Sequence, residues 1–145
     1  HNRTRNMRAE DELGATYVAL DELLRASDFV ALNMPLTGET RGMIGRRELA
    51  LMKKTAVLVN AARGAVVDHD ALFECLSQRN IYAAGLDVTD PEPLPRDHPL
   101  LALDNLVVVP HLGSATVQTR DAMAHRSVDN LMAGLQGQPL PSRVA

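Results

Sequence analysis

Four polar residues close apolar runs in the middle of the chain. They are Arg63 in N-A-A-R-G, Asp87 in A-G-L-D-V-T-D-P-E-P, Glu92 between Pro91 and Pro93 of the same stretch, and His111 in V-V-V-P-H-L-G-S. A guanidinium can hold a carboxylate by two parallel hydrogen bonds. An imidazole beside a carboxylate is fixed in orientation, has its protonated form favoured, and can pass a proton near neutral pH. Such a set suits a small acid with a carbonyl or hydroxyl next to its carboxylate. Arg63 would grip the acid and His111 would give or take the hydroxyl proton. The remaining reactant is hydride, which no side chain supplies, so a nicotinamide cofactor is implied. Each residue also has a plainer reading. Arg63 could lie over a helix end, Asp87 could cap a loop, and a lone histidine is more often structural than catalytic. Gly64 favours a site, because it lets backbone approach a ligand closely. The flanking prolines favour one too, because they fix the direction of Glu92.

For these residues to meet, the runs that carry them must be strands ending on one edge. Ala56–Asn60, Ala83–Val88 and Leu106–Pro110 are continuously apolar and read as fully buried strands. Between the first two lies a helical pattern, Asp68–Gln78, and strand–helix–strand of this length argues for a crossover in a parallel sheet. Ligands bind at the carboxyl ends of such strands. Upstream, Ala15–Val18 and Asp28–Asn33 are further strand candidates. Leu20–Ala26 and Gly45–Lys54 read as helices, the latter with Leu49 and Met52 inward and Lys53 and Lys54 near its C-terminal end. Thr89–Pro99, with four prolines, is a rigid loop. Thr116–Gln136 is the longest helix, with Thr116 as N-cap and a stripe of Ala124, Val128, Leu131 and Leu135. The tail from Pro139 is expected to be extended. The order describes an open α/β sheet.

The 145 residues suffice for one domain with a core, and aromatic residues make up only 3%, so Leu, Val, Ala, Ile and Met must fill it. A net charge of −3 gives no reason to expect nucleic acid or an anionic membrane as partner. No apolar run approaches the roughly 20 residues of a membrane span. The single cysteine, Cys75, excludes an internal disulfide, fits a reducing compartment, and reads as a packed thiol. No metal-ligand spacing occurs, so no metal is inferred. Ser27 and Ser114 lack the G-x-S-x-G setting of a serine nucleophile. His1, His69, His98 and His125 have no setting comparable to that of His111. G-x-G-x-x-G is absent; Gly42 and Gly45 come nearest without the spacing. The chain opens on His-Asn-Arg, with neither Met nor a helix or strand start, which reads as a fragment or processed chain.

The chain resembles the D-isomer-specific 2-hydroxyacid dehydrogenases. The likeness rests on V-N-A-A-R-G-A-V-V-D, A-G-L-D-V-T-D-P-E-P-L-P, H-P-L-L and V-V-P-H-L-G-S-A-T, in family order from Leu32 to Leu135. The run D-V-T-D-P-E-P-L-P-R-D-H-P-L-L is most similar to the glyoxylate/hydroxypyruvate reductase branch. The resemblance implies a Rossmann-type doubly wound parallel sheet, here incomplete, without the first strands and Gly-rich loop. Residues 1–115 would be the C-terminal part of the nucleotide-binding domain. Residues 116–145 would be a returning helix and tail that pack on a substrate domain.

It also implies roles. Arg63 would bind and polarise a 2-oxo acid, His111 would be the proton donor, and Glu92 its partner. Asp87 would seat the nicotinamide, with Gly113 and Ser114 lining the same pocket. Pro35, Thr40, Ala61 and Ala62 would border the cofactor. Asn2, Arg3, Thr4 and Arg5 stand where the adenosine ribose is met. Arginine with a hydroxyl there suits a 2′-phosphate, which favours NADP(H) over NAD(H). The parent enzyme would reduce hydroxypyruvate and glyoxylate to D-glycerate and glycolate in the cytoplasm, as a homodimer. The isolated chain would bind cofactor poorly and be inactive. The alternative is a corepressor-like binding protein on the same scaffold; L-P-R-D-H-P-L-L favours the reductase.

Overall fold

The computed structural model describes residues 1–143. Four strands, β1 (Phe29–Leu32), β2 (Val57–Asn60), β3 (Ala83–Leu86) and β4 (Leu106–Val108), form one sheet in the order β1-β2-β3-β4. All neighbours are parallel. The helices named here are α1 (Met7–Leu13), α2 (Leu20–Ala26), α3 (Arg46–Leu51), α4 (His69–Ser77) and α5 (Val117–Leu135). The Rossmann-type α/β class read from the sequence is what is observed, as a partial domain.

Burial along the strands alternates, where continuous burial was expected. Val30, Leu32, Leu58, Asn60, Ala84 and Leu86 are buried, whereas Phe29, Val59 and Val107 between them are exposed. A strand's side chains point alternately to the two faces. One face is therefore covered and the other, equally apolar, is bare. The covered face meets Leu24 of α2, Leu49 of α3, and Leu72 and Leu76 of α4, all essentially inaccessible. Cys75 sits among them as a free, buried thiol. Burial raises its pKa above the usual thiol value.

Local signals explain most helix limits. Asp68 caps α4 by accepting the Ala71 N–H at 3.0 Å. At the start of α3, Glu48 reaches back to the Gly45 N–H at 3.1 Å. Arg47 forks onto Asp21 with two 2.9 Å bonds, tying α3 to α2. α3 ends at Leu51, short of the expected Lys54. Met52 turns inward, and Lys53 leaves the helix to pair with Asp28 at 2.9 Å. Ala15–Val18 is not a strand, because no ladder partner lies beside it; Tyr17 instead donates its hydroxyl to the Asn2 carbonyl at 2.9 Å. Helix α1 was not anticipated, although Asn6 caps it by accepting the Ala9 N–H and Gly14 ends it with φ 62°.

Two compact units divide the chain, His1–Pro110 and the part from His111 onward. In the second, Thr116 accepts the Thr119 N–H at 3.2 Å and so caps α5, as expected. The tail is not extended throughout. It turns at Pro141 and Ser142, where the Ser142 N–H donates to Asn130 at 3.0 Å. Val144 and Ala145, also part of that expectation, lie outside the described residues.

Candidate active site

The register puts the strand ends in one row. Leu32 stands opposite Asn60, Asn60 opposite Leu86, and Leu86 opposite Val108. The backbone ladder runs one step further. Ala61 donates to Leu32, Asp87 to Asn60 at 2.9 Å, and Val109 to Leu86 at 2.9 Å. The segments carrying Pro35, Arg63 and Asp87 therefore leave the sheet along one edge. Pro110, the last residue of the first unit, follows β4 at that edge.

Asn60 builds the Arg63 turn. Its side chain is fully buried in an otherwise apolar strand. It accepts the Ala62 N–H at 3.0 Å and donates to the Arg63 carbonyl at 2.9 Å. One amide thus satisfies two backbone groups that would otherwise be stranded at the mouth of the sheet. The Arg63 side chain is exposed, with one guanidinium N–H on the Ala62 carbonyl at 2.7 Å. Asn60 was not among the expected site residues. Its signal, an amide closing an apolar strand before a turn, was present in the sequence.

Gly64 locks this turn against the loop bearing Glu92. A Cβ on Gly64 would overlap the Thr89 carbonyl carbon and oxygen, and would lie 2.6 Å from the Asp90 nitrogen. Only a hydrogen side chain permits that approach. Thr89 is buried, donates its hydroxyl to the Pro91 carbonyl at 2.9 Å, and gives its N–H to Glu92 Oε2 at 3.3 Å. Glu92 is exposed between the two prolines, and Asp87 is half-buried. Arg63, Asp87 and Glu92 are thus brought to one end of the first unit through backbone-to-backbone packing.

Asn33, Met34, Pro35, Leu36, Ala61, Ala62 and Arg63 line a cleft of about 420 Å³. Three expected cofactor neighbours, Pro35, Ala61 and Ala62, line it. Thr40 does not. Its hydroxyl donates to the Pro35 carbonyl at 2.7 Å and accepts the Thr37 N–H at 2.8 Å, so it ties off the loop beneath Pro35. Of the N-terminal set, Asn2, Arg3 and Thr4 are exposed. Arg5 forks onto Glu10 with bonds of 2.9–3.1 Å and stacks 5.7 Å over Tyr17. That pairing raises the Arg5 pKa and lowers that of Glu10.

His111 belongs to the second unit, with Gly113 and Ser114 close behind it. It has φ 55°, in the left-handed region that few non-glycine residues adopt. Arg79 shares this conformation at φ 55°, so it marks a local backbone constraint and not by itself a site. Among the described residues, no group of three or more His, Cys, Asp or Glu could hold a metal ion, and no helix is long and apolar enough to cross a membrane.

Residues 1–113 match the D-isomer specific 2-hydroxyacid dehydrogenase, NAD binding domain, family. A glyoxylate/hydroxypyruvate reductase B from Enterobacter agglomerans is 52% identical over 136 residues, which cover 94% of this chain and 42% of that protein. The crystal structure of the TT0316 protein from Thermus thermophilus superposes with a TM-score of 0.91 at 48% identity, over 99% of this chain and 44% of the other. An NADPH-dependent glyoxylate/hydroxypyruvate reductase from Sinorhizobium meliloti, solved in complex with NADP and malonate, gives a TM-score of 0.90 at 35% identity, over 100% of this chain and 44% of its own. The chain thus spans less than half the length of the relatives it matches.

Proposed function

Since the chain belongs to the D-isomer-specific 2-hydroxyacid dehydrogenases through their NAD-binding domain, we propose that the complete polypeptide reduces 2-oxo acids, hydroxypyruvate and glyoxylate, to D-glycerate and glycolate. The observation that carries this reading is the interlock at Gly64, which joins the Arg63 turn to the Glu92 loop at the strand ends. Arg63 holds the substrate carboxylate and polarises the neighbouring carbonyl. His111 donates the proton that becomes the product hydroxyl, and Glu92 orients its ring. A bound nicotinamide supplies the hydride. The cleft lined by Ala61 and Ala62, together with Asn33, Met34, Pro35, Leu36 and Arg63, is where its nicotinamide end would lie. Asp87 is assigned to seating the nicotinamide, and Gly113 and Ser114 to cofactor contact.

NADPH is the favoured cofactor in this reading. The Arg5 guanidinium is exposed, though Glu10 beside it is half-buried, so a phosphate dianion can reach the arginine and compete with that carboxylate. The name of the Sinorhizobium meliloti protein, NADPH-dependent, supports the same choice. Residues 116–145 form the helix and tail that return to a substrate domain, and the enzyme works as a cytoplasmic homodimer. The 145 residues alone contain no G-x-G-x-x-G, so this stretch by itself binds NADPH weakly and is inactive.

The test follows NADPH oxidation by the complete polypeptide with hydroxypyruvate. Turnover is expected, with Arg63→Ala lowering kcat/KM by roughly 100- to 1,000-fold. Turnover unaffected by Arg63→Ala would remove the arginine's role. No turnover with either 2-oxo acid would leave a nucleotide-binding protein without this activity. Micromolar NADPH affinity of the 145-residue chain in a fluorescence titration would refute its predicted weakness.

A further inference from the structure

A second cleft, of about 370 Å³, shares no lining residue with the first; Arg41, His69, Asp90 and His98 are among its walls. His69 opens α4 and is only 9% exposed, and neither ring nitrogen makes a hydrogen bond of full geometry, the Asp90 backbone being the one group near enough to interact. Buried polar atoms without partners are rare enough to need a reason. The ring stands edge-on to His98, with centroids 6.2 Å apart and planes at 80°. The Asp90 backbone lies near enough to favour the ring's protonated form, though burial outweighs it and lowers the pKa. Asp90 is itself held by Arg41 at 3.7 Å. His98 is fixed in turn, its Nδ1 accepting the Leu100 N–H at 3.3 Å.

The placement has a consequence for the proline loop. Asp90 and His98 are its two ends, and Glu92 stands between them. The charged and titratable groups that share the cleft with His69 are Asp68, the N-cap of α4, Asp70 on α4, Asp90 and His98 on the loop, and Arg41 on the segment before α3. Since no three ligands of the described residues can gather on a metal, the orphaned nitrogens point elsewhere. The backbone that acts on the ring is that of Asp90, in the loop that bears Glu92.

We infer that His69 is a positioning residue for Glu92: it braces the Thr89–Pro99 loop from behind, touching His98 at one end and offering a ring N–H to Asp90 at the other. The inference rests on the proposed reductase only in giving Glu92 a catalytic role. The brace itself is a property of the loop.

The experiment compares His69→Phe, which keeps a ring without nitrogens, with His69→Gln, which keeps a donor, in the complete polypeptide. Amide hydrogen exchange is read at Thr89 and Asp90. His69→Phe is expected to speed exchange there by about tenfold or more with the other strands unchanged, and His69→Gln to restore most of the protection. Exchange unaltered in His69→Phe overturns the brace whether or not the protein is a reductase. Under the reductase reading, His69→Phe also lowers kcat about 10- to 100-fold with little change in KM for NADPH. It further removes an ionisation near or below neutral pH from the pH profile of kcat. If exchange responds but kcat and the pH profile do not, the positioning role is overturned. If the wild type shows no turnover, the reductase reading falls, and exchange alone decides the brace.

Discussion

At the residue scale the site depends on side chains that do no chemistry. Asn60 is the clearest case. Removing its amide strands the Ala62 N–H and the Arg63 carbonyl, both now paired at 3.0 and 2.9 Å. Asn60→Ala is therefore expected to cost about 2 kcal/mol or more, since each buried group left unsatisfied forfeits about 1–3 kcal/mol. Urea denaturation of wild type and variant measures this, and a loss below about 0.5 kcal/mol would mean that the turn holds itself. Arg63, Asp87, Glu92 and His111 stand out as candidates in the sequence because chemistry selects residue types, and turns after apolar runs are where such types are conspicuous. Asn60 was passed over because its partners are backbone groups: the amide closing an apolar strand marks the position but does not name what it bonds. The same holds for His69, set aside as lacking a setting: its neighbours Asp90 and His98 lie more than twenty positions away.

Elements bring the Arg63 turn and the Glu92 loop together, and here the contact is backbone on backbone. Gly64 begins a short 3-10 turn and abuts Thr89 and Asp90 so tightly that a methyl group would overlap the peptide between them. Gly64→Ala cannot be absorbed by rotating a side chain. It must push the Glu92 loop away from the Arg63 turn, at a cost of about 3 kcal/mol or more. Thermal unfolding and hydroxypyruvate turnover should fall together; a variant with normal Tm and normal turnover would show that the interlock is slack. The four strands and helices α2 to α5 were legible from apolar periodicity, and the cap of α5 from the Thr116 that precedes its pattern, whereas α1 was missed. What periodicity could not give was one-sided burial. Continuous apolar runs such as Val57–Val59 report that both faces need covering, not that both are covered within these residues. Nor could it tell strand from extended chain at Ala15–Val18, since a strand is defined by its neighbour and not by its own sequence.

For the molecule as a whole, two buried titratable groups set limits to the pH range of stability. Burial lowers the His69 pKa below its ordinary 6.5, so the folded protein resists a proton that the unfolded chain accepts. Between those two values the unfolded state binds more protons, and stability falls as pH drops below about 6.5. Cys75 acts at the other end. Burial raises its pKa above 9.0, so the unfolded chain gives up that proton first, and stability falls as pH rises beyond about 9. The depressed carboxylates, Glu10 beside Arg5 and Asp21 beside Arg47, also lose stabilisation on the acid side. Their windows open only below 4.5 and 3.8, and surface pairs such as these, each with a largely exposed arginine, contribute little. The two acid-side slopes are therefore separable. Tm measured across pH should be flat from about 7 to 8.5 and decline from about 6.5 downward, with a second decline below about 4.5. His69→Gln should abolish the first and leave the second. If the variant keeps the slope near pH 6, another group carries it and His69 is not buried as a neutral ring.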